Sequence, residues 1–321
     1  MTGGDPRAAM RAELRAGLEA HPRIIPPKFF YDERGSELFE AITHLPEYYL
    51  TRVERRLLAG EVAAWIRALR PRALVELGAG SADKSRILLE AMLESLPDES
   101  VVYAPVDVSA AFLRASARRL AEDYPRLRIE PIVADLTADF RLPPALPRPL
   151  VVAFLGSTIG NFGRAEAAAL LARAATILRR DDRLLLGVDL RKDPALLHAA
   201  YNDAAGVTAE FNRNVLRVLN RELGADFDPE AFRHRAIYDE SEGRIEMHLV
   251  AEQAQRVAIP EIGTFTFEPG ESILTEISRK YDRAEVEATL REAGLEIEEW
   301  FETEPGYAVV VGSRSSVVGS R

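Results

Sequence analysis

The chain has 321 residues, with 51 Asp and Glu against 41 Lys and Arg and a formal net charge of −10. This balance, without a basic tract, argues against nucleic acid as a main partner. Cysteine is absent and the five histidines show no metal-ligand spacing such as HExxH, which excludes disulfides, thiolate metal sites and cysteine catalysis, and no metal is expected.

No apolar run approaches membrane-spanning length and no secretory h-region opens the chain, so a cytoplasmic protein with no membrane partner is expected. The length suits one large core, or a core domain with a substantial insertion. Residues 5–20 place Ala, Leu and Arg at the spacing of an amphipathic helix. Pro26-Pro27 then stiffens the chain before Phe29-Phe30-Tyr31, Ser36 is placed to cap a short helix through Ile42, and Pro46 to Tyr49 forms an aromatic loop. Thr51 and Glu54 have the spacing of a capping box for a helix from Arg52 to Leu69. Nothing in the first fifty residues reads as a strand of a central sheet; a lid or part of a second domain is expected there.

From Ala73 the pattern becomes regular. Leu74 and Val75 end a buried parallel strand, Glu76-Leu77-Gly78-Ala79-Gly80 turns off it, and Ser81 to Lys84 opens a helix through Met92. Such a turn directs free backbone N–H groups at a nucleotide-like ligand. Asp83 stands where a dinucleotide fingerprint has its third glycine. That weakens a nicotinamide reading and favours S-adenosylmethionine, whose ammonium Glu76 is placed to meet. The strand Val101 to Val106 ends at Asp107, an acid suited to both ribose hydroxyls. A third strand, Ile129 to Val133, ends at Asp135-Leu136, where an adenine edge would lie. Leu150 to Leu155 enters the loop from Gly156 to Phe162, a helix spans Ala165 to Leu178, and Arg183 to Leu190 is a fifth strand. Five strands alternating with helices define a doubly wound parallel sheet with ligand chemistry at its C-terminal edge.

Beyond Asp193-Pro194 the pattern changes. A helix from Thr208 to Leu223 is closed by Gly224, and 231–238, 244–251, 264–267 and 273–278 alternate like antiparallel strands. From Tyr281 the core resumes with a helix, a strand from Glu296 and a final strand from Tyr307. The expected domains are 53–190 plus 280–321 for the core, and 1–52 plus 191–279 for a second α+β domain. Lysine occurs only at 28, 84, 192 and 280, which points to function for a lysine kept in an Arg-rich chain.

The segments PPKFFYDERGSELF, LPEYYLTR, LVELGAGSADKS, FLGSTIGNF, YNDAAGVTAEFNRNVL, RIEMHL and LTEISRKY together resemble the histidine-specific methyltransferases of ergothioneine biosynthesis. The similarity spans nearly the whole chain, including the insertion. It implies a class I S-adenosylmethionine-dependent methyltransferase, with a Rossmann-like doubly wound sheet and a second, substrate-binding domain. The family trimethylates the α-amino group of L-histidine to hercynine. The resemblance implies that Gly78, Lys84, Asp107, Asp135 and Leu136 contact the cofactor. It implies that Asn161 and Tyr48 hold the amino-acid end of histidine with Tyr31, Tyr201 and Gly156. Glu276 and Ser278 would bond the imidazole nitrogens and Met247 would pack beside the ring. Asn161, Tyr48 and Tyr31 would be the catalytic group, and the protein a monomer.

Taken singly, these residues have plainer readings: Tyr48, Tyr49 and Tyr201 as core aromatics, Asn161 as a turn cap, Glu276 as a solvated strand position, Met247 as core and Lys84 as a helix surface. Their joint occurrence favours the functional reading. Its rivals are a nicotinamide-dependent oxidoreductase, a binding protein that has lost its chemistry, and a methyltransferase for another amino acid such as tryptophan.

Overall fold

Parallel strands buried on both faces read as near-continuous apolar runs, and the inner strands of the central sheet are such runs. In a computed structural model, which describes residues 6–136, 142 and 145–315, its strand order is Leu295–Thr303, Tyr307–Arg314, Arg183–Asp189, Leu150–Phe154, Ala73–Leu77, Val101–Asp107 and Leu127–Ile129, with Ile132–Val133 also paired to Val101–Asp107. The inner strands run parallel, and Tyr307–Arg314 is antiparallel to both its neighbours. Val75, Val102, Val152, Leu186 and Val310 bury one face against apolar residues of the helices Arg164–Ile177 and Arg283–Glu292. On the other face, Glu76 and Tyr307 are met by Ser85 and Glu54, each carried on a helix.

Two expectations in this sheet change. The third strand is two short pieces, because Glu130-Pro131 interrupts it: proline has no N–H to give the ladder. The helix expected over Arg52 to Leu69 is Leu50–Leu57, a π turn Leu58–Val62 and Ala63–Leu69. It has no side-chain cap, and Glu54 bonds elsewhere.

The chain divides into two units, Tyr49–Lys192 with Arg279–Arg321, and Met1–Tyr48 with Asp193–Ser278. The termini 1–5 and 316–321, to which the expected bounds extend, lie outside the described residues. Tyr49 to Arg52, Arg191, Lys192 and Arg279, expected in the second domain, go with the sheet unit. There the Tyr49 hydroxyl donates to the buried Asp189 at 2.7 Å. Lys192 and Lys280 pair with the same carboxylate, the latter at 2.9 Å. Within the sheet unit, Asp189 thus holds Tyr49, Lys192 and Lys280 together.

The second unit holds a sheet ordered Arg23–Ile24, Ser272–Arg279, Arg244–Ala251, Phe232–Asp239, and a separate hairpin of Gln255–Ile259 with Gly263–Phe267. Neither Arg23–Ile24 nor Gln255–Ile259 is foreseen by the sequence. Its helix Glu33–Thr43 starts earlier than expected, capped by Asp32 accepting from Gly35 N, while Ser36 is buried inside it. Asp203 accepts from both Val207 N and Thr208 N at 2.8 Å to start Val207–Leu223, and Gly224 at φ 68° ends it.

Candidate active site

The strand Ala73–Leu77 leads into a turn with Gly78 at φ 72°, Gly80 at φ 54° and Ala82 at φ 61°. The helix begins at Ser85, four residues later than expected, because Ala82, in the left-handed region, cannot belong to its first turn. A Cβ on Gly80 would project into open space, with nothing within 4 Å. A Cβ on Gly78 would stand 3.6 Å from Thr158 and 3.8 Å from Leu136. At the neighbouring strand tip, Asp107 accepts from Gly80 N and from Ser109 N, each at 3.0 Å. Each carboxylate oxygen keeps a further lone pair for a hydroxyl. The Asp107 carbonyl accepts from Ala134 N at 3.0 Å, next to the half-buried Asp135 and Leu136. Gly78, Asp107 and Leu136 therefore surround one glycine-lined cradle, with Asp135 beside them in the chain. An open backbone with a strand-tip acid fits an adenosyl group.

Glu76, expected to face the ammonium of the cofactor, lies deep in the sheet. It is 3% exposed and takes the hydroxyls of Ser85 and Tyr103, and burial pushes its pKa up to about 7. Glu54 is the acid that pairs with Lys84. It accepts from Lys84 Nζ at 2.6 Å, Gly156 N at 2.7 Å and the Tyr307 hydroxyl at 2.6 Å. Sequence spacing hides it, since these partners are 30, 102 and 253 residues away. One signal was present: Gly187 inside the apolar strand Arg183–Asp189, where a glycine marks a close approach.

The loop after Leu150–Phe154 places Gly156 at φ 74° and Ser157 at φ 54°, then a 3-10 turn Thr158–Asn161. Ser157 Oγ accepts from Asp189 N at 2.9 Å, and Gly160 packs so closely on Arg279 that a Cβ would stand 2.8 Å from its carbonyl oxygen. These contacts fix the loop at both ends. Gly156 is brought against Lys84, and Asn161 is half-buried at the end of the turn.

The second unit gathers another set. Tyr48 and Tyr201, 7% and 6% exposed, meet edge to face with centroids 6.3 Å apart. The Tyr201 hydroxyl donates to Ser278 Oγ at 2.8 Å. Phe39 touches Tyr48 and Tyr31, with centroids 6.4 and 6.0 Å away, so all three tyrosines share one aromatic cluster. Glu276 is half-buried on Ser272–Arg279, and Met247 is buried on the adjacent strand. Three polar residues missed by sequence reasoning support this group. Thr275 Oγ1 donates to Asn212 Oδ1 at 2.7 Å, Asn212 Nδ2 to His234 Nδ1 at 2.8 Å, and His234 Nε2 to the Tyr201 carbonyl at 2.9 Å. With Nδ1 accepting and Nε2 donating, the ring is the neutral tautomer, and burial pushes the His234 pKa down.

Among the described residues no group of three or more His, Asp or Glu is placed to hold a metal, and no helix is long and apolar enough to cross a membrane. The parallel sheet, its closing antiparallel strands and the glycine cradle with its strand-tip acid are those of a class I methyltransferase that uses S-adenosylmethionine. Residues 10–314 match the family described as histidine-specific, S-adenosylmethionine-dependent methyltransferases, and the chain belongs to it. It is 46% identical to a histidine N-alpha-methyltransferase of Mycolicibacterium smegmatis over 92% of each chain. It is 44% identical to the Mycobacterium tuberculosis protein of the same name, over 93% of this chain and 92% of that one. Ergothioneine biosynthesis protein 1 of Neurospora crassa is 32% identical over 92% of this chain and 34% of its own length.

Proposed function

We propose that the protein transfers methyl groups to the α-amino group of L-histidine, three times in succession, to give hercynine in ergothioneine biosynthesis. The observation that carries this reading is the buried Tyr48–Tyr201–Ser278 group. It joins the side chains assigned to the amino-acid end with one assigned to the imidazole. The names of the mycobacterial and fungal relatives support it. S-adenosylmethionine supplies a methyl on a sulfonium, with an activated leaving group. The chain's own residues therefore select the neutral amine, aim its lone pair and exclude water, without a covalent nucleophile.

In this reading Gly78, Lys84, Asp107, Asp135 and Leu136 hold the cofactor. Asn161, Tyr48 and Tyr31, with Tyr201 and Gly156, orient the amine and carboxylate of histidine. Glu276 and Ser278 take its ring nitrogens, with Met247 alongside. The product carries a fixed positive charge, and the faces of the tyrosine and phenylalanine cluster suit a quaternary ammonium. The sheet unit is the cofactor domain and the other the substrate domain of a cytoplasmic monomer. Its partners are small molecules, a reading supported by the acidic balance of the chain.

Tryptophan is the discriminating alternative substrate. Indole has one N–H where imidazole has two ring nitrogens, so it leaves an acceptor or hydroxyl unpaired, at about 1–3 kcal/mol. The test is kcat/KM for both amino acids. Histidine should be preferred by about tenfold or more; equal values, or a preference for tryptophan, would overturn the substrate reading. No turnover of either would favour a binding protein without chemistry.

A further inference from the structure

Glu54 is 1% exposed, beneath a Lys84 side chain that is 24% exposed, with both its oxygens engaged. The structure is shaped around this carboxylate. A Cβ on Gly187 would stand 2.3 Å from Glu54 Oε1 and 2.7 Å from the Tyr307 oxygen. A Cβ on Gly156 would stand 2.9 Å from Lys84 Nζ. Two glycines thus leave room for one acid and the ammonium it holds. Stability alone gives little reason for such an arrangement, since exchanging a buried ion pair for apolar side chains is often neutral or favourable.

We propose that Glu54 is a positioning residue for the cofactor, acting through Lys84 and the Gly156 N–H to fix the grip on its methionine end. The proposal rests on the assignment of Lys84 to the cofactor. Lysine is a point charge on a flexible four-carbon stem, and Glu54 holds that charge against Gly156. An ammonium has three donors, so the contact with Glu54 leaves others for a ligand carboxylate. The pair also presents a dipole in place of a net charge, which suits the zwitterionic end of an amino acid better than a plain anion. The same carboxylate anchors Gly156, where the loop to Asn161 begins. One buried acid therefore sets both the lysine that meets the cofactor and the root of the loop assigned to the substrate.

The test is calorimetric binding of S-adenosylhomocysteine and of 5′-methylthioadenosine, which lacks the methionine end, to the wild type, Glu54→Gln, Lys84→Met and the double variant. Glu54→Gln should weaken S-adenosylhomocysteine about tenfold or more while methylthioadenosine stays within about twofold. Lys84→Met should show the same split, and the double variant should be no worse than Lys84→Met alone. In turnover, KM for the cofactor should rise more than kcat falls. Wild-type affinity in Glu54→Gln beside a loss in Lys84→Met would overturn the role of Glu54 and leave the Lys84 assignment standing. Wild-type affinity in Lys84→Met would overturn both. Equal losses for the two ligands, or additive losses in the double variant, would show that Glu54 does not act through Lys84. Should Glu54→Gln fail to fold, Glu54→Asp keeps the charge one methylene short of Lys84, and the same two-ligand comparison decides.

Discussion

Titration of the buried Glu76 should make the stability of this protein fall as pH rises from about 5 to about 8. Its carboxyl sits in the sheet at 3% exposure, and burial raises its pKa from 4.5 to about 7. The Ser85 and Tyr103 hydroxyls and the charge of Lys84 act in the opposite direction and are outweighed. Between those two values the folded protein keeps a proton that the unfolded chain has released. The contribution is therefore fully present below pH 4.5 and is lost by about pH 7. At about 1.4 kcal/mol per pH unit, the span amounts to roughly 3 kcal/mol. Glu76→Gln keeps the shape, continues to accept from the two hydroxyls and cannot titrate. Urea unfolding from about pH 5 to about pH 8 gives the difference between wild type and variant, in which other titrating groups largely cancel. The wild type should lose about 2–3 kcal/mol relative to the variant across that range. Parallel profiles would show that Glu76 is ionised in the fold at neutral pH and would refute the reasoning.

Further outcomes follow from the two halves of the site. Asp107→Ala removes the acceptor that ties the strand tip to Gly80; cofactor affinity measured by calorimetry should fall about tenfold to a hundredfold, with histidine binding retained. Tyr201→Phe deletes the buried hydroxyl donated to Ser278; the histidine KM should rise about tenfold, with cofactor affinity unchanged. Glu276→Ala combined with Met247→Val should raise the tryptophan-to-histidine ratio of kcat/KM by removing the carboxylate and making room. A ratio that does not rise would detach Glu276 from side-chain recognition.

The strands of the sheet were legible because burial on both faces leaves uninterrupted apolar runs such as Leu150–Phe154. The glycine turn and Asp107 follow from the same βα rhythm, and the structure brings them within hydrogen-bond reach. Local pattern failed where long-range partners decide. Glu54 has good cap spacing, yet its carboxylate answers to Lys84, Gly156 and Tyr307. Glu76 stands beside the turn in sequence, but strand alternation sends it into the layer below, toward Tyr103 and Ser85. Arg23–Ile24 is too short to show a period and exists as a strand through pairing with Ile273 and Leu274. Asn212, His234 and Thr275 come from three separate elements and share only a chain of hydrogen bonds that no spacing rule reveals.

The most direct test of the central claim is to incubate the protein with S-adenosylmethionine and all twenty amino acids together, and to follow each by mass spectrometry. Histidine alone should gain methyl groups, ending as the trimethylated product with three equivalents of S-adenosylhomocysteine. Methylation of a different amino acid in preference to histidine, or an endpoint of a single methyl group, would contradict the account.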